Sequence, residues 1–224
     1  MTAARTRLIA AEAKAAHLFD EAVKRGIIAA GRTETAINTA IFELAKELFG
    51  IEKYWHKRIV RAGPNTLMPY YENPPDLMLR EDDILFLDFG PIFEEWEADY
   101  GRTFVIGQDP DKLRLRDDTE RAWHDARAWF DDRPEVTGAE FFHFIQGVAA
   151  AYGWEYGNEM AGHLIGQFPH ERLEKENYGL YIHPENHNKM SLPDKDGKPR
   201  HWILEIHFVD REQEIGGFFE QLLV

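Results

Sequence analysis

Three acidic residues lie inside sequence runs that are otherwise apolar. Asp88 ends the run Ile-Leu-Phe-Leu-Asp, Glu205 lies within Trp-Ile-Leu-Glu-Ile-His-Phe-Val, and Glu220 lies within Phe-Phe-Glu-Gln-Leu-Leu-Val. A carboxylate in a dry strand is costly unless it pairs with a cation or binds a metal. Each residue alone is more simply explained by a strand end or an exposed sheet edge. Together with Asp99, on the strand that follows Asp88, they favour a metal site.

The spacing of these residues predicts how they meet. Asp88 and Asp99 flank a turn, which places them on adjacent antiparallel strands, and the spacing of Glu205 and Glu220 suggests a second hairpin. His163 is the candidate nitrogen ligand, although a lone histidine among apolar residues is more often a core residue. The chain has no cysteine, so thiolate ligands are excluded. A carboxylate-rich set with one imidazole suits Mn, Fe, Co or Zn, and four carboxylates can neutralise two divalent ions.

The elements that must position these residues follow from hydrophobic periodicity and from turn signals. The pattern predicts helices over 3–25, 34–48, 117–130 and 138–152 and strands over 84–90, 98–106, 201–209 and 217–224. The segments 51–80 and 176–200 are rich in proline or in asparagine and glycine, which predicts loops. This pattern indicates an α+β fold in one domain, 1–224, with N-terminal helices in 1–50 and a metal-binding core in 51–224.

Composition limits the classes of function. The chain has 224 residues, 44% of them hydrophobic, which is enough for a substantial core. The formal charge of −14 disfavours binding to nucleic acid or to anionic lipid. No run approaches the roughly 20 apolar residues of a membrane span. Glu12 and Lys14 interrupt the N-terminal apolar run, so we expect no signal peptide and a cytoplasmic protein.

The order Asp, Asp, His, Glu, Glu resembles that of the creatinase/methionine-aminopeptidase metallopeptidase superfamily, M24, which includes prolidases and aminopeptidase P. The resemblance covers about Arg61 to Val224 and implies a pita-bread fold, in which an antiparallel sheet with pseudo-two-fold halves is covered by helices. Fewer residues precede the metal-binding core than in the larger members, so the architecture is closer to that of methionine aminopeptidase. The motifs that carry the resemblance are Asp88-Phe-Gly90, Asp99-Tyr-Gly-Arg102-Thr103-Phe104, Gly162-His163-Leu-Ile-Gly166 with His170-Glu171, Glu205 and Glu220.

The resemblance also implies a role for each metal ligand. Asp88 would chelate one ion, His163 and Glu205 would bind the other, and Asp99 and Glu220 would bridge the two. A water held between two divalent ions would be the nucleophile, because metal binding lowers its pKa towards neutrality. Mn, Co, Fe and Zn are the candidate metals.

Three further residues are expected to act on the substrate. The resemblance implies that His170 hydrogen-bonds the substrate carbonyl and that Glu205 also takes a proton from the attacking water. The family usually has another histidine before the first aspartate, in a Pro-His-Tyr-like setting in prolidases. This chain has Tyr70 at that position, and His56 lies fourteen residues earlier and cannot occupy it. A tyrosine, with a pKa of about 10, would donate a hydrogen bond or pack rather than shuttle protons.

Three functions remain open on the sequence. The first is a metal-dependent aminopeptidase or Xaa-Pro peptidase that cleaves a small peptide or amide. The second is a creatinase-like hydrolase or lyase that acts on a non-peptide C–N bond; Tyr70 argues for this function or for the third. The third is a metal-binding homologue without catalysis, against which the intact ligand set argues. A homodimer is compatible with the sequence.

Overall fold

The fold was described from a computed structural model, which covers residues 2–170 and 177–224. In this part of the chain, four helices lie near the predicted positions. Directly before each helix lies a residue whose side chain accepts a backbone N–H of the first turn. Thr137 and Glu140 form the expected capping box. The third helix begins seven residues before its predicted start, at Pro110, because its first turns are too charged to show an apolar periodicity. The helices are α1 (Ala3–Lys24), α2 (Glu34–Phe49), α3 (Pro110–Asp131) and α4 (Gly138–Tyr152).

In the described part of the chain, nine strands form an antiparallel sheet and a short separate hairpin. The sheet has the order β1-β2-β5-β9-β8-β6, with β7 also paired to β8, and β3 and β4 make the hairpin. All four predicted strands are present, whereas β1 lies in a segment predicted to be a loop. The strands are β1 (Ile59–Ala62), β2 (Ile84–Phe89), β3 (Ile92–Phe93), β4 (Trp96–Glu97), β5 (Tyr100–Val105), β6 (Glu155–Tyr156), β7 (Leu164–Ile165), β8 (His201–Asp210) and β9 (Ile215–Leu222).

Helices cover the sheet through two large apolar clusters. One cluster joins α3 and α4 to β8 and β9, and its central residue Trp123 is fully buried and donates its indole N–H to the carbonyl of Leu204 at 3.0 Å. The other joins α1 and α2 to β1 and β2. Among the described residues, no helix is long and apolar enough to cross a membrane.

A buried carboxylate fixes α2 against the start of the sheet. Glu34 accepts the N–H of Ala62 at 2.6 Å and that of Leu77 at 3.2 Å, and both of its oxygens lie 3.0 Å from the side-chain amide of Asn65. The Gly63-Pro64-Asn65 segment, which forms a 3₁₀ helix after β1, is therefore anchored from outside the sheet.

We expect Glu34→Ala to lower the free energy of unfolding by about 2–5 kcal/mol, because it leaves buried donors unsatisfied. Urea denaturation would measure this change. Glu43→Ala, on the exposed face of the same helix, is the matched control and should change the stability by less than about 0.5 kcal/mol. Equal effects of the two substitutions would contradict this role of Glu34.

Candidate metal centre

A row of paired residues brings three carboxylates to one place on the sheet. Asp88 pairs with Gly101, Gly101 with Glu220, and Glu220 with Glu205, across β2, β5, β9 and β8. Residues paired in this way project to the same face. Asp99 lies two residues before Gly101 and therefore shares that face. Both predicted hairpins are confirmed, and the four acidic residues converge.

Glycine is required in this row because a side chain would not fit. A Cβ atom on Gly101 would lie 2.5 Å from the ring of Phe218 and 2.9 Å from the Cβ of Glu220. Without a Cβ, β5 can approach β9 closely enough to align the carboxylates on either side of it. This explains the glycine of the Asp99-Tyr-Gly motif in physical terms.

His163 approaches the carboxylates from the segment before β7. Its Nε2 atom is 3.1 Å from Asp99 Oδ2 and 3.6 Å from Glu205 Oε1. Its Nδ1–H donates to the carbonyl of Leu164 at 2.9 Å, which directs Nε2 at the acidic residues. Without a metal this nitrogen donates an N–H to Asp99, and a bound ion would instead take its lone pair. The preceding Gly162 has a φ of 137°, and a Cβ there would lie 2.0 Å from the carbonyl oxygen of Ile203. Only glycine allows this backbone approach to β8.

His56, which the sequence analysis set aside, lies in the same cluster. Its Nε2 atom is 3.0 Å from Asp99 Oδ1 and 3.6 Å from Asp88 Oδ1, and its side chain is buried. The segment before β1 is fixed by Trp55, whose backbone N–H donates to Gly90 and whose indole N–H donates to Ala98, both at 2.9 Å. No periodicity marks this segment, so only the folded arrangement reveals the histidine.

The buried acidic groups differ in how readily they ionise. Burial raises the pKa of Asp88 and that of Glu205 to about 7, although the neighbouring imidazoles oppose this change. Burial, together with repulsion from the other carboxylates, raises the pKa of Glu220 well above its ordinary value. Burial also disfavours ionisation of Asp99, but His56 and His163 outweigh it and lower the pKa of Asp99 to about 2. A cation among these groups would stabilise their charged forms.

The donor set fits two divalent cations. One set of ligand atoms comes from His56, Asp88 and Asp99, another comes from Asp99, His163 and Glu220, and the atoms of each set lie within 4.8 Å of one another. Asp99 belongs to both sets, as a bridging ligand would. In the described part of the chain, the buried Oε2 of Glu220 has no hydrogen-bond partner. A buried oxygen of this kind is the donor that a metal ion would use.

His170 packs against Trp55 at one side of the cluster and is oriented by Glu97, a residue that no sequence pattern singled out. The Nδ1 atom of His170 is 2.5 Å from Glu97 Oε2. Glu97 is fully buried and also accepts the backbone N–H groups of Gly166 at 3.2 Å and His170 at 3.4 Å. Within the ranges 2–170 and 177–224, the buried Nε2 of His170 has no partner. The described residues therefore leave the hydrogen-bonding capacity of this nitrogen unused, whereas Glu171 lies outside them.

Trp55 forms an apolar wall between the three histidines. Its ring centroid is 4.4 Å from that of His56, 5.2 Å from that of His163 and 5.3 Å from that of His170. The indole therefore shields one side of the cluster from water, which strengthens electrostatic interactions there. Its only signal in the sequence is its position directly before His56.

Tyr70 lies at the edge of the cluster rather than among the ligands. Its ring centroid is 6.0 Å from that of His56, and its hydroxyl accepts the backbone N–H of Lys57 at 3.2 Å. The side chain is 49% exposed, which leaves room for contact with a substrate. Burial of the hydroxyl raises the pKa of Tyr70, so it remains a hydrogen-bonding phenol at neutral pH.

Comparison with known proteins gives a consistent family and fold. The profile of metallopeptidase family M24 matches residues 7–195. An Xaa-Pro dipeptidase of Pyrococcus horikoshii is 26% identical over 166 residues, which cover 70% of this chain and 45% of the dipeptidase. The chain thus spans about half the length of the curated prolidase-type relatives that it matches.

Two solved structures show the fold. A prolidase from Thermococcus sibiricus superposes with a TM-score of 0.72 at 23% identity, over 96% of this chain and 55% of the prolidase. A methionine aminopeptidase from Rickettsia prowazekii superposes with a TM-score of 0.71 at 16% identity, over 97% of this chain and 91% of the aminopeptidase. These similarities, with the antiparallel sheet and its covering helices, confirm the predicted pita-bread fold.

Proposed function

This chain belongs to metallopeptidase family M24, and we propose on that premise that it is a metal-dependent hydrolase that cleaves a small peptide or amide near its amino terminus. The observation that carries the proposal is the convergence of Asp88, Asp99, His163, Glu205 and Glu220 on one face of the sheet. The Xaa-Pro dipeptidases among its relatives make an aminopeptidase or Xaa-Pro-peptidase activity the first choice.

We assign the residues as follows. Asp88 would bind one ion, His163 and Glu205 would bind the other, and Asp99 and Glu220 would bridge them. Two bound divalent ions, with Mn, Co, Fe or Zn as candidates, would supply Lewis-acid activation of a substrate carbonyl and of a water. His170 donates to the substrate carbonyl oxygen through Nε2, and Glu97 holds the ring in position. We propose that Glu205 also accepts a proton from the attacking water.

Several finer assignments belong to the same proposal. We propose that residues 1–224 act as one domain, since Leu8 of α1 packs against Ile165 of β7 and Leu222 of β9. We also propose a cytoplasmic location and a small-molecule substrate rather than nucleic acid, which the charge of −14 disfavours. Association into a homodimer would be tested by light scattering.

A second function, action on a non-peptide C–N bond, is favoured by Tyr70. A tyrosine occupies the place where prolidases usually have histidine, and its exposed ring lies beside His56. Such a change in hydrogen-bonding chemistry at the mouth of a site is expected to change the preferred substrate.

A turnover screen distinguishes these functions. Protein reconstituted with Mn or Co would be tested on Xaa-Pro dipeptides, on peptides with varied N-terminal residues, and on non-peptide amides and guanidino acids. Metal-dependent release of an N-terminal residue supports the first function, and turnover restricted to non-peptide compounds supports the second. Bound metal without turnover of any compound would contradict both and indicate a non-catalytic homologue.

Substitution of Tyr70 tests whether its hydroxyl contacts the substrate. We expect Tyr70→Phe to lower kcat/KM about tenfold, the effect of losing one hydrogen bond of about 1.4 kcal/mol. Tyr70→His should lower native turnover without creating a new peptidase activity, because the pocket is built around a phenol. Steady-state kinetics on the substrate found in the screen would measure both effects.

Tyr152→Phe is the matched control for this experiment. It removes a tyrosine hydroxyl that donates to Asp125 at 2.7 Å, on helices α4 and α3, and should leave kcat/KM unchanged. Unaltered kinetics for Tyr70→Phe and Tyr70→His would show that Tyr70 does not contact the substrate. A gain in dipeptide cleavage by Tyr70→His would instead indicate an ordinary prolidase with a weakened site.

A further inference from the structure

We propose that His56 is a second imidazole ligand of the metal centre and binds the ion held by Asp88, so that each of the two ions has one nitrogen ligand. The inference deepens the proposed function and depends on its metal centre. It adds a residue to the ligand set Asp88, Asp99, His163, Glu205 and Glu220, which has only one histidine.

The two imidazoles are arranged alike about Asp99. His56 Nε2 is 3.0 Å from Oδ1 of Asp99, and His163 Nε2 is 3.1 Å from Oδ2 of the same carboxylate. His56 Nε2 also lies 3.6 Å from Oδ1 of Asp88, and His163 Nε2 lies 3.6 Å from Oε1 of Glu205. A bridging carboxylate that offers one oxygen to each of two ions would place one imidazole beside each oxygen. The environment of His56 therefore repeats that of His163, the family's nitrogen ligand.

These distances are those of ligands that share one ion. With metal–ligand bonds of about 2.0–2.2 Å and angles of about 90–110°, neighbouring ligand atoms lie about 2.8–3.6 Å apart. The 3.0 Å between His56 Nε2 and Asp99 Oδ1 lies within this range, and the 3.6 Å between His56 Nε2 and Asp88 Oδ1 lies at its upper end. The three side chains accordingly offer ligand atoms that all lie within 4.8 Å of one another.

The hydrogen bond at the other ring nitrogen selects the ligating tautomer. His56 Nδ1–H donates to the carbonyl of Lys57 at 2.8 Å, and His163 Nδ1–H donates to that of Leu164 at 2.9 Å. In both cases the acceptor is the carbonyl of the next residue. A neutral imidazole held in this way presents the lone pair of Nε2, which is the arrangement of a metal-binding histidine with a fixed outer partner.

The fold is built to hold His56 in this place. A Cβ on Gly90 would lie 2.1 Å from Cδ2 of His56 and 2.5 Å from the indole nitrogen of Trp55, so the glycine leaves the space that the two rings fill. Two hydrogen bonds from Trp55, to Gly90 and to Ala98, fasten the segment to the turn between the aspartates. The His56 side chain is only 8% exposed and is held on both sides, so it is preorganised for metal binding.

His207 shows what a buried histidine without a metal looks like in this protein. Its Nε2 is 2.9 Å from the carbonyl of Thr66 and its Nδ1 is 3.2 Å from Asn158 Oδ1, so both ring nitrogens have neutral partners. His56 instead faces two carboxylates with Nε2. Adding a second nitrogen donor to a carboxylate-rich centre shifts its preference towards Zn and Co and away from Mn.

Nitrogen NMR of the wild-type protein tests the proposal directly. Protein labelled with ¹⁵N in its histidine rings would be freed of metal with a chelator and then titrated with Zn²⁺. We expect the Nε2 resonances of two histidines, His56 and His163, to shift to values of zinc-bound imidazole, while those of His207 stay unchanged. The spectra of His56→Phe and His163→Ala would assign the two signals.

Metal affinity gives a second measurement that needs no activity. Calorimetric titration with Zn²⁺ or Co²⁺ should show two tight sites in the wild type. His56→Phe and the smaller polar change His56→Asn should each weaken one of them by at least about 100-fold, since losing even an outer partner of a ligand costs 10–100-fold. His143→Ala, at an exposed position of α4, is the control and should keep both sites.

The outcomes separate this proposal from the metal centre itself. Two tight sites with zinc shifts at one histidine only, and full affinity in folded His56→Phe and His56→Asn, would overturn the role of His56 and leave the centre intact. A protonated His56 ring that stays paired with Asp99 while both ions bind would also overturn it. Failure of the wild type to bind any divalent ion would overturn both the role and the proposed function.

Discussion

Asp99→Ala and Glu220→Ala are each expected to remove both divalent ions and to reduce turnover to background. The reason is geometric, because Asp99 offers one oxygen to each imidazole, and Glu220 pairs across the sheet with Glu205 while its buried Oε2 has no hydrogen-bond partner among the described residues. Loss of a bridge deprives both ions of a charged ligand at once. Metal content measured by mass spectrometry, after loading with Mn or Co and gel filtration, should fall from close to two ions per chain to near zero.

Asp88→Ala distinguishes a terminal ligand from a bridge. It should lose one ion and keep the other, because Asp88 is assigned to a single ion. Asp118→Ala is the matched control, since it removes a buried carboxylate that accepts the indole N–H of Trp154 at 2.9 Å, and it should retain two ions. Asp99→Asn and Glu220→Gln repeat the test with nearly unchanged volume where an alanine variant is unfolded. Loss of only one ion from both bridging variants would refute the assignment.

The sequence predicted the acidic part of this site because burial and charge conflict visibly there. Asp88, Glu205 and Glu220 interrupt apolar runs that can only be buried strands, and each strand was found where the runs lie. The two hairpins followed from spacing, and their registers bring Glu205 opposite Glu220 and Asp88 opposite Gly101. Conflicts between local pattern and residue type mark functional sites, and here they identified three of the candidate ligands, to which the position of Asp99 on the next strand added a fourth.

His56 and the residues that position the histidines, Trp55 and Glu97, were harder to predict from the sequence. His56 belongs to an irregular segment, Glu52-Lys-Tyr-Trp-His-Lys-Arg58, whose polar residues resemble those of an exposed loop. Its position depends on a contact between Trp55 and Gly90, thirty-five residues away in the chain, and no local signal encodes that contact. Glu97 was missed for a similar reason. It follows Glu94 and Glu95 in what reads as an acidic surface turn, yet it is completely buried against His170.

Tyr70 and His56 together suggest how the site departs from its relatives. Sequence comparison by motif treats Tyr70 as the loss of a histidine, which would weaken the centre. The structure instead has an imidazole beside the same carboxylates, contributed by an earlier segment, with its ring 6.0 Å from that of Tyr70. An imidazole thus lies near the carboxylates, while a phenol stands at the exposed edge. This arrangement is the reason for our proposal that a changed substrate goes with an intact metal centre.

His170→Ala is expected to slow turnover by about 10²–10³ while both ions stay bound, which is the usual cost of removing one donor to a developing oxyanion. The ring lies outside both candidate ligand sets, and its Nδ1 is taken by Glu97, so its loss leaves the metal ligands untouched. The decrease should appear in kcat rather than in KM, because the hydrogen bond strengthens as charge develops on the carbonyl oxygen. Glu97→Gln should give a smaller decrease of the same kind, since the amide oxygen can still accept Nδ1–H but carries no charge.

His163→Ala should produce the opposite pattern. It should lose metal, so that its turnover cannot be measured with both metal sites filled. Metal analysis and kinetics on the same preparations would compare the two variants, with His143→Ala as an exposed control that changes neither. Collapse of the metal content in His170→Ala would make His170 a ligand and would remove it from the substrate side of the site. An unchanged kcat at full metal occupancy would show that the unpaired Nε2 does not contact the reacting carbonyl, and the orienting role of Glu97 would then have no catalytic consequence.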